Sequence, residues 1–225
     1  MKWLLAAIAS LAGALSAQTS LGDDGHRMEI MLDRIEGGSW HAIDPGLVLE
    51  RSDRVRFRFR TNFDGYLYVL NQSTSGKYEQ LFPREETGQD NRIEAGKEYQ
   101  VPATSSVFRI AGPAGHEVVY WLVSPARLGE GQPWHPSPPS ASKQPRPALV
   151  PRCDDTILRA RGDCIDNGAG LKLIPRDGQL PQNLAGAAGQ TPQDLLLLRQ
   201  KDTSVVSSPV PLAGPVVYEF RLAHR

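Results

Sequence analysis

The sequence predicts a mainly β protein, an antiparallel immunoglobulin-like β-sandwich with a Pro-rich strap and a C-terminal strand that returns to the sheet. Three observations predict this class. Short segments of residues 27–124 alternate apolar and polar side chains, Gly-containing turns separate them, and no helical period of useful length interrupts them. With 40% hydrophobic and 22% charged residues, the chain has enough apolar side chains to bury a core.

The first element is a predicted signal peptide at residues 1–17. Lys2 precedes an uncharged apolar run that ends in small residues at Ala17, which is the layout of a secretory signal. The run is shorter than the roughly 20 residues of a membrane span. We therefore expect a mature chain that begins near Gln18, is exported to the periplasm or the extracellular space, and has no stable membrane insertion. A buried N-terminal helix and a retained anchor are the alternatives.

Residues 27–124 are predicted to form the sandwich domain. Apolar and charged side chains alternate over residues 28–33 and again over residues 54–60, so one face of each strand meets the core and the other meets water. Residues 65–70 and 118–123 are apolar on both faces, which is typical of strands that are covered on both sides.

Residues 125–151 are predicted to be a linker or a surface strap. Eight prolines in this stretch exclude a regular sheet or helix. Extended polyproline II geometry suits such a strap. A Pro-rich ligand for a recognition module is the alternative.

Residues 152–225 are predicted to contain a disulfide loop and a strand that packs on the sandwich. Cys153 and Cys164 are the only two cysteines, and an oxidising compartment favours a bond between them. A redox pair is the alternative, although no Cys-x-x-Cys spacing supports it. The acidic side chains of the loop fit turn chemistry better than a Ca²⁺ site. They are Asp154, Asp155, Asp163 and Asp166, together with Asn167.

The end of the chain holds two further apolar segments. The four leucines at residues 195–198 fit a short buried strand and a capped helix equally well. Residues 216–222 alternate, with apolar side chains on one face. Too few apolar residues surround this last strand for a separate core, so we expect it to pair with the strand around residues 28–32 at an edge of the sandwich.

Four arginines at every second position form the main candidate binding feature. They are Arg54, Arg56, Arg58 and Arg60, here called the arginine stripe. Period two places their guanidinium groups on one strand face, where they could hold a phosphate, a carboxylate or an acidic glycan. Acidic cross-strand partners on a solvated face are the alternative. Tyr66, Tyr68 and Trp121 are expected to add contact area on one sheet face.

Six pieces of the sequence occur in the order of a known family. They are a charged-aromatic strand at residues 53–59, a Gly-Tyr-Leu-Tyr strand at 64–71, Leu-Phe-Pro at 81–83, a Gly turn at 95–96, Pro102, and a Gly-x-x-Gly-x-Glu hairpin at 112–117. Over roughly residues 45–125 this order resembles the bacterial family called domain of unknown function 4384. The resemblance implies an exported or envelope protein of bacteria and no established catalytic residues. Arg84 stands where the family usually has Asn.

The remaining composition and motifs favour binding over catalysis. Equal numbers of Lys+Arg and Asp+Glu, 25 each, argue against bulk capture of nucleic acid. The sequence contains neither a nucleophile elbow nor a P-loop, and its histidines lack metal-ligand spacing. We expect a non-catalytic binding module of the bacterial envelope without metal or cofactor, whose partner is an envelope protein or an acidic glycan. A hydrolase of an envelope polymer, with a non-local site near His116 and Glu117, is the alternative.

Overall fold

Strands dominate the regular structure of the chain. The computed structural model describes residues 25–84, 90–103, 105–128, 150–160, 162–174, 184, 194–200 and 202–225. The predicted signal peptide and most of the predicted strap lie outside the described residues. No helix within those residues is long and apolar enough to cross a membrane.

The described residues form thirteen strands and one short helix. In chain order they are β1 (His26–Glu36), β2 (Ser39–Ile43), β3 (Arg54–Thr61), β4 (Gly65–Gln72), β5 (Tyr78–Phe82), β6 (Arg92–Ile93), β7 (Glu98–Val101), β8 (Phe108–Arg109), β9 (Gly115–Ser124), α1 (Thr156–Ala160), β10 (Gly170–Leu173), β11 (Leu196–Gln200), β12 (Thr203–Ser208) and β13 (Val216–His224).

The strands form two sheets. The first sheet has the order β11-β12-β1-β3-β7, and in addition β2 pairs with β1 and β8 pairs with β3. The second sheet has the order β10-β13-β9-β4-β5, and β6 pairs with β4. All these pairings are antiparallel. The two sheets pack on a shared core without closing into a barrel, which confirms the predicted sandwich.

Aromatic side chains from both inner faces occupy the centre of the core. Phe57 and Phe59 of β3 meet Trp121 of β9, with ring centroids 5.4 Å and 5.3 Å apart. Phe220 of β13 lies 5.1 Å from Phe57, edge to face. Such ring pairs contribute about 0.5–1.5 kcal/mol beyond the burial of their area. The expectation that Trp121 adds binding surface is wrong, because its indole is fully buried between the sheets.

The second sheet is also apolar on its outer face. A second buried cluster lies there, built on β4, β9 and β13. Its buried members are Leu70, Tyr120, Leu122, Leu184 and Val217. Leu128 and Ile174 pack against it, so residues from beyond β9 cover this face. The prediction that residues 65–70 and 118–123 are covered on both sides is confirmed.

The C-terminal strand returns to the sandwich as predicted, but it joins the other sheet. β13 lies between β10 and β9, with Tyr218 opposite Trp121. The predicted pairing with residues 28–32 is wrong, because β12 occupies that position and places Val206 opposite Met28. An alternating pattern specifies which face of a strand is buried, and it does not specify the neighbouring strand.

The leucine run forms a strand, and that strand lies at a sheet edge. β11 pairs with β12 on one side, and within the described residues no strand pairs with its other side. Leu196, Leu197 and Leu198 are 48%, 39% and 39% exposed. The strand interpretation is therefore right, whereas burial of the leucines is wrong.

The predicted disulfide between Cys153 and Cys164 is present. The sulfurs lie 2.00 Å apart and the Cα atoms 4.8 Å apart. The loop is attached to the segment before β3, because the Val48 N–H donates to the Cys164 carbonyl at 2.7 Å. Both cysteines pack in a small cluster with Ala223 of β13. A disulfide fits a protein of an oxidising, exported compartment.

Candidate binding face

The arginine stripe lies on the outer face of the first sheet, as its period predicts. The residues between the arginines, Val55, Phe57 and Phe59, are fully buried on the inner face. Arg54 and Arg60 at the two ends of β3 are exposed, whereas the two arginines between them are partly buried. Whether each guanidinium group can bind a ligand depends on the side chains that the neighbouring strands place beside it.

A buried carboxylate holds the middle of the stripe. Asp33 of β1 is 2% exposed and accepts hydrogen bonds from Arg56 Nε at 3.1 Å and from Arg58 Nε at 2.8 Å. Arg58 Nη2 donates to the other oxygen of Asp33 at 3.0 Å. This hydrogen bonding raises the pKa of the Arg58 guanidinium above its ordinary value. Asp33 thus pairs with both central arginines and fixes their orientation.

The exposed end at Arg60 is also paired. Arg60 Nη2 donates to Glu29 Oε2 at 2.6 Å, and this hydrogen bond raises the pKa of Arg60. Glu29 also forms an ion pair with Arg27 at 2.8 Å. Glu98 of β7 lies 3.3 Å from Arg58 Nη1. For three of the four arginines the alternative of acidic cross-strand partners is therefore what the structure shows.

Arg54 differs from the other three arginines. It lies directly opposite Arg109 of β8, and both side chains are exposed. Neither arginine forms an ion pair with any residue that the structure describes. Like charges directly opposite each other across two strands destabilise a sheet. Among the residues that the structure describes, this end of the stripe therefore carries two positive charges without an acidic partner.

An aromatic ring lies beside the next arginine of the stripe. Trp40 of β2 stacks on Arg56, whose guanidinium carbon is 4.4 Å from the ring centroid. Arg54 precedes Arg56 on the same face of β3, two residues or about 7 Å along the strand. Trp40 is partly exposed. We define the candidate binding site as Arg54, Arg109 and Trp40.

The two tyrosines do not join the arginine stripe. Leu67 and Val69 of β4 face the core, so Tyr66 and Tyr68 point to the outer face of the second sheet. Tyr68 packs against the apolar cluster on that face, and burial raises its pKa above the ordinary value. The predicted binding residues are thus divided between opposite outer faces of the sandwich.

His116 and Glu117, the residues of the hydrolase alternative, point to opposite faces of β9. Glu117 faces the interior, where it accepts a hydrogen bond from Asn71 Nδ2 at 3.0 Å and lies 3.5 Å from His224 Nε2. Glu117 and His224 are 3% and 1% exposed, which keeps a polymer substrate away from them. His116 faces outward and contacts Asp166 at 3.2 Å.

The acidic residues of the disulfide loop organise turns. Asp166 accepts backbone hydrogen bonds from Gly168 at 2.6 Å and from Arg152 at 2.9 Å. Asp154 accepts one from Asn167 at 2.8 Å. These contacts are the turn chemistry favoured by the sequence. Within the part of the chain that the structure describes, no three acidic, His or Cys side chains gather as metal ligands.

Three residues of this face were not singled out from the sequence. Asp33 was visible only as one polar residue of an alternating strand, and nothing in the sequence marks it as the partner of two arginines. Arg109 lies on a strand of two residues, which is too short to show alternation. Trp40 carries no periodic signal that would place it beside β3. The position of each of these three residues depends on the register between strands that are distant in the sequence.

The fold and this site define a β-sandwich module with a charged outer face. Residues 48–127 match the family model Domain of unknown function (DUF4384), which confirms the resemblance predicted from the sequence. This segment contains β3 to β9, and therefore Arg54 and Arg109, while β1, β2 and β10 to β13 lie outside it. No curated protein and no solved structure matches the chain.

Proposed function

We propose that this chain is an exported, non-catalytic binding module of the bacterial envelope that recognises an acidic glycan. The observation that carries the proposal is the pair Arg54 and Arg109, two exposed arginines on opposed strand positions with no carboxylate paired to either among the described residues. Both arginines lie within the DUF4384 segment, whereas Trp40 lies outside it. The other arginines of the stripe form ion pairs with Asp33, Glu29 and Glu98. The proposed glycan site therefore uses only Arg54 of the four.

The geometry suits a carboxylate on a sugar. Opposed residues of an antiparallel pair have Cα atoms about 4.5–5.5 Å apart, so both guanidinium groups can reach one anionic group. Each guanidinium presents a planar fork of donors that matches a carboxylate in bidentate geometry. The partly exposed indole of Trp40, which stacks on Arg56, supplies an apolar surface on the strand face that also carries Arg54. An anion with an apolar ring face beside it, as in a uronic acid polymer, would therefore meet both features.

Charge reversal at this site tests the proposal. We expect the mature protein to bind polygalacturonate and not neutral dextran, with binding weakened by added salt. Arg54→Glu is expected to lower the affinity at least about tenfold, and Arg54→Glu with Arg109→Glu about a hundredfold, since hydrogen bonds to charged groups contribute about 1.5–3 kcal/mol each. Isothermal titration calorimetry or a sedimentation assay measures these changes.

The matched control is Arg92→Glu, which reverses a 62% exposed side chain on β6 of the second sheet. Arg54→Glu also places opposite charges across β3 and β8, so it is expected to leave thermal stability unchanged or raise it. Thermal unfolding of each variant measures this directly and separates loss of binding from loss of the fold. Equal losses in Arg54→Glu and Arg92→Glu, or no binding of the wild-type protein to the acidic polymer, would contradict the proposed site.

A separate prediction concerns export of the protein and cleavage of its signal peptide. Expression with the complete N-terminus in a Gram-negative host is expected to give periplasmic or secreted protein whose intact mass corresponds to a start near Gln18. Mass spectrometry of the exported fraction measures this directly. A substitution of Leu4 and Leu5 by Lys, which interrupts the apolar run, is expected to retain the uncleaved chain in the cell. Exported protein that still carries Met1 would contradict signal cleavage.

A further inference from the structure

Among the described residues, strand β11 lacks the usual protection of an edge strand. Natural sheets shield their edges with prolines, bulges, unpaired charges or covering segments. β11 contains no proline, and its register with β12 runs without interruption from Leu196 opposite Ser207 to Gln200 opposite Thr203. Its three leucines are 39–48% exposed. Within the described part of the chain, no strand pairs with the outer edge of β11, and its apolar side chains are exposed.

The leucine side chains of β11 lie on both faces of the first sheet. Leu197 lies opposite Val206, a core residue, and therefore on the inner side of the sandwich. Leu196 and Leu198 lie opposite Ser207 and Val205, and therefore on the outer side. A strand added to this edge would bury leucines on both faces at once, which a ligand resting on a single face could not do.

Two arginines at this edge are already paired within the chain. Arg199, the basic residue of β11, forms an ion pair with Asp44. Arg27, whose neighbour Ser207 lies opposite Leu196, is paired with Glu29 at 2.8 Å. With both guanidinium groups paired and the leucines exposed, these described residues favour an apolar partner over a charged one.

We propose that β11 pairs antiparallel with β11 of a second copy of this chain, joining the two first sheets across a twofold axis. A twofold interface must be complementary to itself. A register centred on Leu197 meets this condition, because Leu197 then opposes its own copy and Leu196 opposes Leu198. The same register places Leu195 opposite Arg199 and Asp194 opposite Gln200, so no like charges meet.

The oligomeric state of the mature protein tests the proposal. Sedimentation velocity is expected to show a dimer at micromolar concentrations. Leu197→Lys is expected to raise the dimer dissociation constant at least about a hundredfold, since two ammonium groups would meet on the axis. The matched control is Val210→Lys, at an apolar residue that is 59% exposed outside the strands. Val210→Lys is expected to remain a dimer.

A covalent trap tests the register without weakening the edge. Leu197→Cys is expected to form an intermolecular disulfide on mild oxidation, whereas Val210→Cys is not, and the native disulfide serves as an internal reference. A wild-type protein that stays monomeric at about 100 μM would overturn the proposal. A dimer that is unaffected by Leu197→Lys, or equal cross-linking at both cysteines, would also overturn it.

Discussion

A chain that ends at Ala213 is expected to lose its cooperative fold. Residues 214–225 contain β13, which lies inside the second sheet and pairs with β10 on one side and β9 on the other. The truncation removes four fully buried side chains from the core, those of Val216, Tyr218, Phe220 and Leu222. Full burial of each contributes about 1.5–3 kcal/mol. The sum approaches the whole stability of about 5–15 kcal/mol expected for a domain.

Thermal unfolding followed by circular dichroism measures this effect. The truncated protein is expected to lack a cooperative transition, whereas Phe220→Ala is expected to fold with a loss of about 3–5 kcal/mol. Val210→Ala, which alters an exposed side chain, serves as the control. If the truncated protein melted at the temperature of the mature protein, β13 would be an appendage and the strand order of the second sheet would be wrong.

Glu117→Ala is expected to destabilise the protein by about 1–3 kcal/mol, the usual cost of leaving a buried polar group without its hydrogen-bond partner. Three buried polar side chains lie together on the inner face of the second sheet, each at most 3% exposed. They are Asn71 on β4, Glu117 on β9 and His224 on β13. Without the carboxylate, the Asn71 amide loses its hydrogen-bond partner in the buried interior, and the His224 imidazole loses the carboxylate 3.5 Å away. Each unsatisfied buried group costs about 1–3 kcal/mol.

Chemical denaturation at neutral pH provides the measurement. Glu79→Ala is the matched control, because Glu79 lies on β5 of the same sheet and its side chain is 60% exposed. Its ion pair with Arg84 is expected to contribute less than about 1 kcal/mol. A loss below about 1 kcal/mol for Glu117→Ala would show that water or a rearranged side chain compensates for the missing carboxylate.

Periodicity predicted the faces of the strands well. Alternation in β1 and β3 identified the buried sides, and the doubly apolar segments identified β4 and β9 as strands covered on both faces. Each of these predictions depends on neighbouring residues of one segment, because period two is a local property of an extended chain.

The alternation patterns did not predict strand register or which strands pair. The four arginines of the stripe are equivalent in the sequence pattern. Only the pairing of β3 with β1, β7 and β8 shows that Arg54 lies opposite Arg109 while the other three arginines pair with acidic side chains. Likewise, residues 216–222 showed which side chains they bury and not which sheet they join. These properties arise from contacts between distant segments, where several pairings satisfy the same local pattern.

The strand order also has a consequence for the time course of folding. In the first sheet β3 of the DUF4384 segment borders β1, and in the second sheet β9 borders β13, both outside the segment. β1 in turn pairs with β12, so Met28 meets Val206, and Gly115 meets His224. Such contacts close very long loops, which makes folding slow and places sheet completion late. Until then the free edges of β1 and β9 are open to wrong pairing. The strands that cover these two edges, β12 and β13, come last among the described strands, so both edges stay open while the rest of the sandwich is synthesised.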